Sequence, residues 1–226
     1  MARSVNRRDL AVRVKSARGR KTSSIRWLQR QLNDPYVAEA KRRGYRSRAA
    51  FKLIELDDRF HLLKPGLRVL DLGAAPGGWS QIARERVGPS GRVVAVDIRP
   101  IEPLPDVVTI EADIALPETD ARIREALGGM ADVVLSDMAA SATGHAQTDH
   151  LRTLALVEAA VDCARGLLAP GGSFVAKVLQ GGTEAALLAA MKREFERVKH
   201  AKPPASRSDS AEMYVVATGF RGGHGG

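Results

Sequence analysis

Four aspartates close or follow short apolar runs: Asp71 after Val69-Leu70, Asp97 after Val93-Val94-Ala95-Val96, Asp113 beyond Val107-Val108-Thr109-Ile110, and Asp137 after Val133-Val134-Leu135-Ser136. Runs of this kind read as buried strands, and in an open α/β sheet ligands bind beyond the carboxyl ends of the strands. Four carboxylates at successive strand ends would therefore rim one crevice. Between the first two lies Gly73-Ala74-Ala75-Pro76-Gly77-Gly78-Trp79, which opens into a helix start at Trp79-Ser80-Gln81-Ile82-Ala83. Gly73, Gly77 and Gly78 carry no Cβ, so this turn can be sharp and can approach a ligand closely. The spacing is not G-x-G-x-x-G, and Pro76 inside the turn argues against a dinucleotide loop.

Charge narrows the ligand. An acidic rim repels a pyrophosphate but suits a nucleoside without phosphates that carries a cationic centre. S-adenosylmethionine has an adenosine, a sulfonium and an amino acid tail, with Asp97 suited to two ribose hydroxyls. The competing reading makes the four acids helix caps or solvated loop residues. A nicotinamide-dependent oxidoreductase is disfavoured by the turn spacing, Pro76 and the acidic rim.

Three charged residues sit where such a sheet places reactive groups. Asp137 ends the fourth strand, Lys177 ends the fifth in Phe174-Val175-Ala176-Lys177-Val178, and Glu212 begins the last in Ala211-Glu212-Met213-Tyr214. A lysine inside an apolar strand is costly unless it is paired or functional. A structural ion pair with Glu212 is the alternative. No Pro-Cys follows the fourth strand, as carbon-5 cytosine chemistry would want, and Asp137-Met138-Ala139-Ala140 stands where an amino-group enzyme would carry Asp-Pro-Pro-Tyr. Transfer to an oxygen remains. Lys52 lies beside Leu56 at helical spacing and one turn from Arg48; local sequence favours a surface lysine whose stem covers apolar neighbours.

The elements that must position these groups alternate strand and helix from Arg68 to Thr218, which predicts a doubly wound α/β sheet, mostly parallel, with helices on both faces. Val198–Ala201 and Met213–Thr218 are separated by a stretch without helical pattern, so the last strand should run antiparallel. Pro170-Gly171-Gly172 reads as a sharp helix stop, and the tail from Gly219 as too glycine-rich to pack. In the segment before the body, Asp34 can cap a helix that begins at Pro35. A second helix should bury Ala50, Leu53, Ile54 and Phe60.

Net charge is +9, but it is unevenly placed: residues 1–52 hold 16 Lys or Arg against Asp9, Asp34 and Glu39, and the remaining residues net −4. A basic N-terminal module on an acidic body points to nucleic acid. The expected organisation is a flexible basic arm (1–24), a basic helical RNA-facing segment (25–62), a catalytic body (63–219) and a glycine-rich tail (220–226). Trp27, Tyr36 and Tyr45 lie among basic residues, where they could stack on bases or anchor short helices. The single cysteine, Cys163, and the scattered histidines give no metal spacing, so no metal is expected. No apolar run approaches membrane-spanning length, no secretory leader is visible, and a cytoplasmic monomer is expected.

From Arg26-Trp27-Leu28 to Val216-Ala217-Thr218-Gly219 the chain resembles the FtsJ-type (RlmE) large-subunit ribosomal RNA ribose 2′-O-methyltransferases. The specific stretches are Asp71–Gln81, Ser47-Arg48-Ala49 with Phe51-Lys52-Leu53, Ser136-Asp137-Met138-Ala139, and Ala169–Val175. The resemblance implies a Rossmann-like, seven-stranded methyltransferase fold and S-adenosylmethionine as cofactor. The catalytic tetrad it implies is Lys52, Asp137, Lys177 and Glu212, with cofactor contacts at Gly77, Trp79, Asp97, Asp113 and Asp137. It makes Lys52 catalytic rather than a surface residue, and the expected target a uridine ribose in the aminoacyl-tRNA-binding loop of 23S rRNA, within the large subunit. Lys177 would serve as base, or would orient the hydroxyl and stabilise the alkoxide. Ala140-Ser141-Ala142 departs from the family's Pro-Asn-Met beside the substrate. A tRNA or mRNA target, or a non-catalytic RNA-binding assembly factor, are the alternatives.

Overall fold

Runs of Val, Leu and Ile, broken by Gly and Pro, become one sheet. In the computed structural model, which describes residues 28–29, 31–140, 143–180 and 185–222, the strands are β1 Arg68–Leu72, β2 Arg92–Asp97, β3 Val107–Glu111, β4 Ala131–Ser136, β5 Leu168–Leu179, β6 Phe195–Ala201 and β7 Glu212–Phe220. The helices are α1 Pro35–Arg43, α2 Ala49–Phe60, α3 Gly78–Val87, α4 Pro117–Leu127, α5 Ala146–Leu167 and α6 Ala185–Glu194. The strands order as β3-β2-β1-β4-β5-β7-β6. Pairings from β3 through β5 are parallel, whereas β7 runs antiparallel to both β5 and β6. This is the expected doubly wound sheet with a reversed last strand.

Strand alternation sends side chains to two cores. Leu70, Leu72, Val94, Val96, Val134 and Phe174 pack with Ile123 and Leu127 of α4, the apolar side of α5 and Met191 of α6. Val69, Val93, Val133, Leu135 and Val175 pack on the other face with Ala50, Leu53 and Leu56 of α2 and Ile82, Ala83 and Val87 of α3. The basic segment thus shares a core with the body through α2.

Local sequence explains how α1 and α2 are placed. Asp34 accepts a bond from the Tyr36 backbone N–H, Pro35 opens the helix, and Gly44 closes it at φ +74°, a left-handed conformation that glycine adopts without strain. In α2 the buried apolar positions are Ala50, Phe51, Leu53 and Leu56, while the predicted Ile54 and Phe60 are only half-buried. The reason is that α2 meets two surfaces. Leu53 and Leu56 face the sheet, whereas Phe51 packs against Tyr36 at 5.3 Å and Tyr45 at 5.6 Å between ring centroids. Both tyrosines are therefore anchors; Trp27 lies outside the described residues.

At the chain's punctuation one sequence expectation is met and refined, and one fails. α5 ends at Leu167, and Pro170-Gly171-Gly172 lies within β5, because Leu168 already pairs with Ala131 and the register then shifts before Val133 meets Ser173. The glycine-rich tail was expected to begin unpacked at Gly219, yet Gly219 and Phe220 belong to β7. Phe220 is buried, 5.1 Å from Phe195 between centroids. Residues 1–24 and 223–226 lie outside the described residues. Among those described, no helix is long and apolar enough to cross a membrane, and no group of His, Cys, Asp and Glu could hold a metal.

Candidate active site

The chain winds outward through β2 and β3 on one side of β1 and through β4 and β5 on the other, so a crevice opens between the ends of β1 and β4. It measures about 680 Å³. Its walls are the turn after β1, Asp97–Arg99 after β2, Ala112–Ala115 after β3, and Asp137–Ala139 after β4, with Ser47 and Ala49 at the rim. Gly73 stands at φ +69°, and a Cβ there would lie 2.3 Å from Met138 Cγ and 3.2 Å from its Cα. Gly78 begins α3, so the N-terminal end of that helix also meets the crevice.

Asp71 forms the floor. It is 1% exposed; Oδ2 accepts a 2.6 Å bond from Ser80 Oγ, while Oδ1 is buried without a hydrogen-bond partner. Burial pushes its carboxyl up to about 7, aided by the charges of Asp137 and Asp97 and opposed by the Ser80 bond. Asp97 accepts from Ala75 N–H at 2.9 Å and from Arg99 N–H at 2.9 Å, with the Arg99 side chain at 3.3 Å, so it ties the turn to β2 while lining the crevice. Asp113 is exposed at the rim and accepts from Ala115 N–H. Of the residues expected to contact cofactor, Gly73, Gly78, Trp79, Asp97, Asp113 and Asp137 line the crevice. Gly77 does not: its α carbon faces away, towards Leu104 and Arg46.

The four charged residues singled out in the sequence converge beside Asp137. Lys52 Nζ lies 2.6 Å from Glu212 Oε1, Lys177 Nζ 2.8 Å from Asp137 Oδ1, and Lys177 Nζ 3.9 Å from Glu212 Oε2. Lys177 also donates to the Asp137 carbonyl at 2.8 Å. Strand register explains the meeting: Lys177 pairs with Tyr214 and Leu179 with Glu212, so Lys177, Tyr214 and Glu212 share the face that α2 covers. Lys52 is 9% exposed, a buried partner of Glu212 and not a solvated surface lysine. Burial alone would raise the Asp137 carboxyl, but Lys177 and Lys52, with bonds from Lys177 and Tyr214, hold it below the usual carboxylate range.

Tyr214 was not singled out in the sequence. Its hydroxyl donates to Asp137 Oδ1 at 2.6 Å and lies 3.3 Å from Glu212 Oε1, and its ring sits 5.6 Å from that of Trp79. Burial and the two carboxylates push its hydroxyl pKa well up, so it stays a donor. Position two after Glu212 on a strand was the available signal. On the far side of the tetrad, Lys52 and Glu212 line a second hollow of about 410 Å³ with Arg48 and Arg207. Asp34 bridges these arginines, 2.8 Å from Arg48 and 3.4 Å from Arg207. The tetrad therefore stands between the carboxylate-lined crevice and a smaller hollow whose walls mix Arg48, Lys52 and Arg207 with Asp209 and Glu212.

A sheet of this order, with a carboxylate-lined crevice at its switch point, defines a Rossmann-like methyltransferase fold. Residues 45–220 match the FtsJ-like methyltransferase family model, and the chain belongs to that family. It is 63% identical over 220 residues to the ribosomal RNA large subunit methyltransferase E of Paramagnetospirillum magneticum, covering 95% of this chain and 90% of the relative. It is 62% identical to the protein of that name from Xanthobacter autotrophicus, covering 95% and 86%. A Plasmodium falciparum chain described as a ribosomal RNA methyltransferase superposes with a TM-score of 0.72 at 30% identity, over 79% of this chain and 100% of that one.

Proposed function

We propose that the protein methylates the 2′-oxygen of a ribose in large-subunit ribosomal RNA, using S-adenosylmethionine, and that the target is a uridine of the aminoacyl-tRNA-binding loop. The observation that carries this reading is the Lys52–Glu212–Lys177–Asp137 chain of alternating charge between the two hollows. The names of the Paramagnetospirillum and Xanthobacter relatives support the RNA class.

The crevice residues fit the cofactor on three counts. Asp71 Oδ1 is a buried acceptor without a donor, which an ammonium would satisfy. The acidic rim suits positive charge, and the N-terminal end of α3 suits the carboxylate of an amino acid tail. Bound there, S-adenosylmethionine supplies an electrophilic methyl group already activated by its sulfonium. The protein's own work is then mainly alignment, the kind of contribution that effective molarities of about 10⁵ M and above describe.

Lys177 is fixed by two bonds, to the side chain and to the carbonyl of Asp137, which leaves a third direction for its Nζ. That direction serves a ribose 2′-oxygen, and an N–H there stabilises the negative charge that grows as the hydroxyl passes its proton to water and the oxygen takes the methyl group, S-adenosylhomocysteine leaving. Lys52 and Glu212 hold the far side of the same oxygen's approach, while Tyr214 keeps Asp137 and Glu212 in place. Arg48 and Arg207 line the adjoining hollow, and guanidinium N–H groups that Asp34 does not take up are available to an RNA phosphate.

The test is transfer of tritium from labelled cofactor into ribosomal subunits, with 2′-O-methyl positions mapped in RNA from cells with and without the protein. One uridine should lose its methyl group when the protein is absent. Lys177→Ala should bind cofactor normally and lower the transfer rate by about 10²-fold or more. Near wild-type transfer by that variant would remove Lys177 from the reaction, and an unchanged methylation map would overturn the ribosomal target.

A further inference from the structure

Arg46 belongs to the basic segment expected to face RNA, yet its guanidinium is occupied elsewhere. Nη1 donates to the carbonyls of Pro76 at 3.0 Å and Glu102 at 2.6 Å, and Nη2 donates to that of Pro103 at 2.8 Å. Pro76 lies in the turn after β1, and residues 102 and 103 lie in the loop between β2 and β3. Both stretches adjoin the crevice, one through Ala75 and Pro76 and the other through Ile98 and Arg99. One planar fork therefore ties together two walls that are separate in sequence.

A second observation shows that the site is built around this fork. Gly77 is at φ +109°, and a Cβ there would meet Leu104 at 2.8 Å and Arg46 Nη1 at 3.1 Å. The missing side chain is what lets Arg46 and the 102–104 loop close down on the turn. The backbone of Arg46 is held too: its N–H donates to Gln81 Oε1 at 2.8 Å, and Gln81 Nε2 donates back to the Gly44 carbonyl at 3.0 Å. The next residue, Ser47, is at the crevice rim.

The geometry points to Arg46 as a positioning residue for the cofactor crevice, one that fixes the spacing of its two walls and makes that spacing depend on how the 44–47 segment is docked. It is not an RNA contact, although it lies among RNA-facing charge. The inference rests on the reading of the crevice as a cofactor site. Lysine cannot replace the residue, because a single ammonium lacks the flat array of five donors that reaches three carbonyls on two loops.

The experiment is calorimetric titration of full-length wild type, Arg46→Lys and Arg46→Gln with S-adenosylhomocysteine, together with affinity for large ribosomal subunits and steady-state methyl transfer. Arg46→Gln should weaken S-adenosylhomocysteine by about tenfold or more, the scale of losing one or two charged hydrogen bonds. Arg46→Lys should lie between it and wild type. The KM for S-adenosylmethionine should rise in step, with kcat at saturating cofactor and subunit affinity each within about twofold of wild type. Arg46→Lys keeps the charge and the aliphatic stem, so it reports even where the glutamine variant folds poorly. Normal S-adenosylhomocysteine binding combined with weaker subunit binding would overturn the inference and make Arg46 an RNA contact. Equal losses in all three measurements would also overturn it, because the effect would not be selective for the crevice. Wild type that fails to bind S-adenosylhomocysteine would instead overturn the cofactor reading itself.

Discussion

Asp71→Asn isolates a carboxyl whose ionisation is strongly displaced by burial. Asp71 is buried at the end of β1 with one oxygen bonded to Ser80 and the other without a partner, and its carboxyl is pushed from 3.8 to about 7. A carboxyl shifted upward destabilises the folded state when ionised, the reverse of the usual salt-bridged aspartate. Between 3.8 and 7 the folded chain keeps a proton that the unfolded chain has lost, so stability falls as pH rises through that window. Below 3.8 both states are protonated and the penalty vanishes; above 7 it is complete. Three units at about 1.4 kcal/mol each make it about 4 kcal/mol. Asparagine removes the titration but leaves a buried amide N–H₂ without an acceptor, a pH-independent cost of about 1–3 kcal/mol.

Because that cost does not change with pH, the difference between variant and wild type is the quantity to follow. Urea unfolding of both proteins at half-unit steps from pH 5 to pH 8 should show it moving by nearly 3 kcal/mol in favour of asparagine, about two of the three units being lost above pH 5. Contributions from the rest of the chain are common to both proteins and largely cancel. S-adenosylmethionine should shrink the shift in wild type, because an ammonium beside Asp71 favours its ionised form, and should stabilise the variant less at pH 8. Curves that stay parallel from pH 5 to pH 8 would refute the reasoning, since Asp71 would then ionise as it does in water.

Two further substitutions test the site's construction. Tyr214→Phe keeps the ring against Trp79 but removes the bonds to Asp137 and Glu212; unfolding free energy should fall by about 1–3 kcal/mol while kcat falls less than tenfold, because Lys177 still holds Asp137. A larger drop in kcat at unchanged stability would make Tyr214 a participant and not a support. Gly73→Ala forces a left-handed backbone on alanine and drives its Cβ into Met138, so stability should fall by about 2 kcal/mol or more and cofactor affinity with it. Adding Met138→Ala should recover only part of the loss, since the contact with Met138 Cα and the backbone strain remain; full recovery by denaturant titration would show that φ at Gly73 is unimportant.

How much of this was legible in the sequence depended on the distance over which each determinant acts. The strands of the parallel half are continuous Val/Leu/Ile runs with a carboxylate at the end, and buried strands with ligand groups at one edge have to look that way. Cap chemistry at Asp34, Pro35 and Gly44 is equally local and was equally readable. Lys177 stood out because a lysine in an apolar strand needs a reason. Lys52 did not, because an isolated amphipathic helix tolerates a lysine on its edge, and its partner Glu212 is brought to it only by the reversed β7. The same reversal packs Phe220 on Phe195, which glycine-rich composition around Phe220 concealed. Pro170-Gly171-Gly172 marked the end of α5 to within a few residues but not the register shift inside β5, because turn residues signal a break in regular backbone without saying which kind.

The reversed strand is also why the chemistry sits where it does. A seventh strand added parallel at the edge would have carried its carboxyl end past the crevice and its first residue to the opposite end of the sheet. Running antiparallel between β5 and β6, β7 instead places its first residue, Glu212, level with Leu179, and its third, Tyr214, opposite Lys177. The residues of a strand's beginning thereby meet those of another strand's end, and two carboxylates and two lysines share one small volume without a net charge. That neutrality matters on physical grounds, since four like charges could not be buried within these distances and four unpaired ones would be expensive to desolvate. Around the tetrad the charges are mixed: Asp71, Asp97, Asp113 and Arg99 line the crevice, Arg48, Arg207 and Asp209 line the second hollow, and Lys177 donates to Asp137 between them.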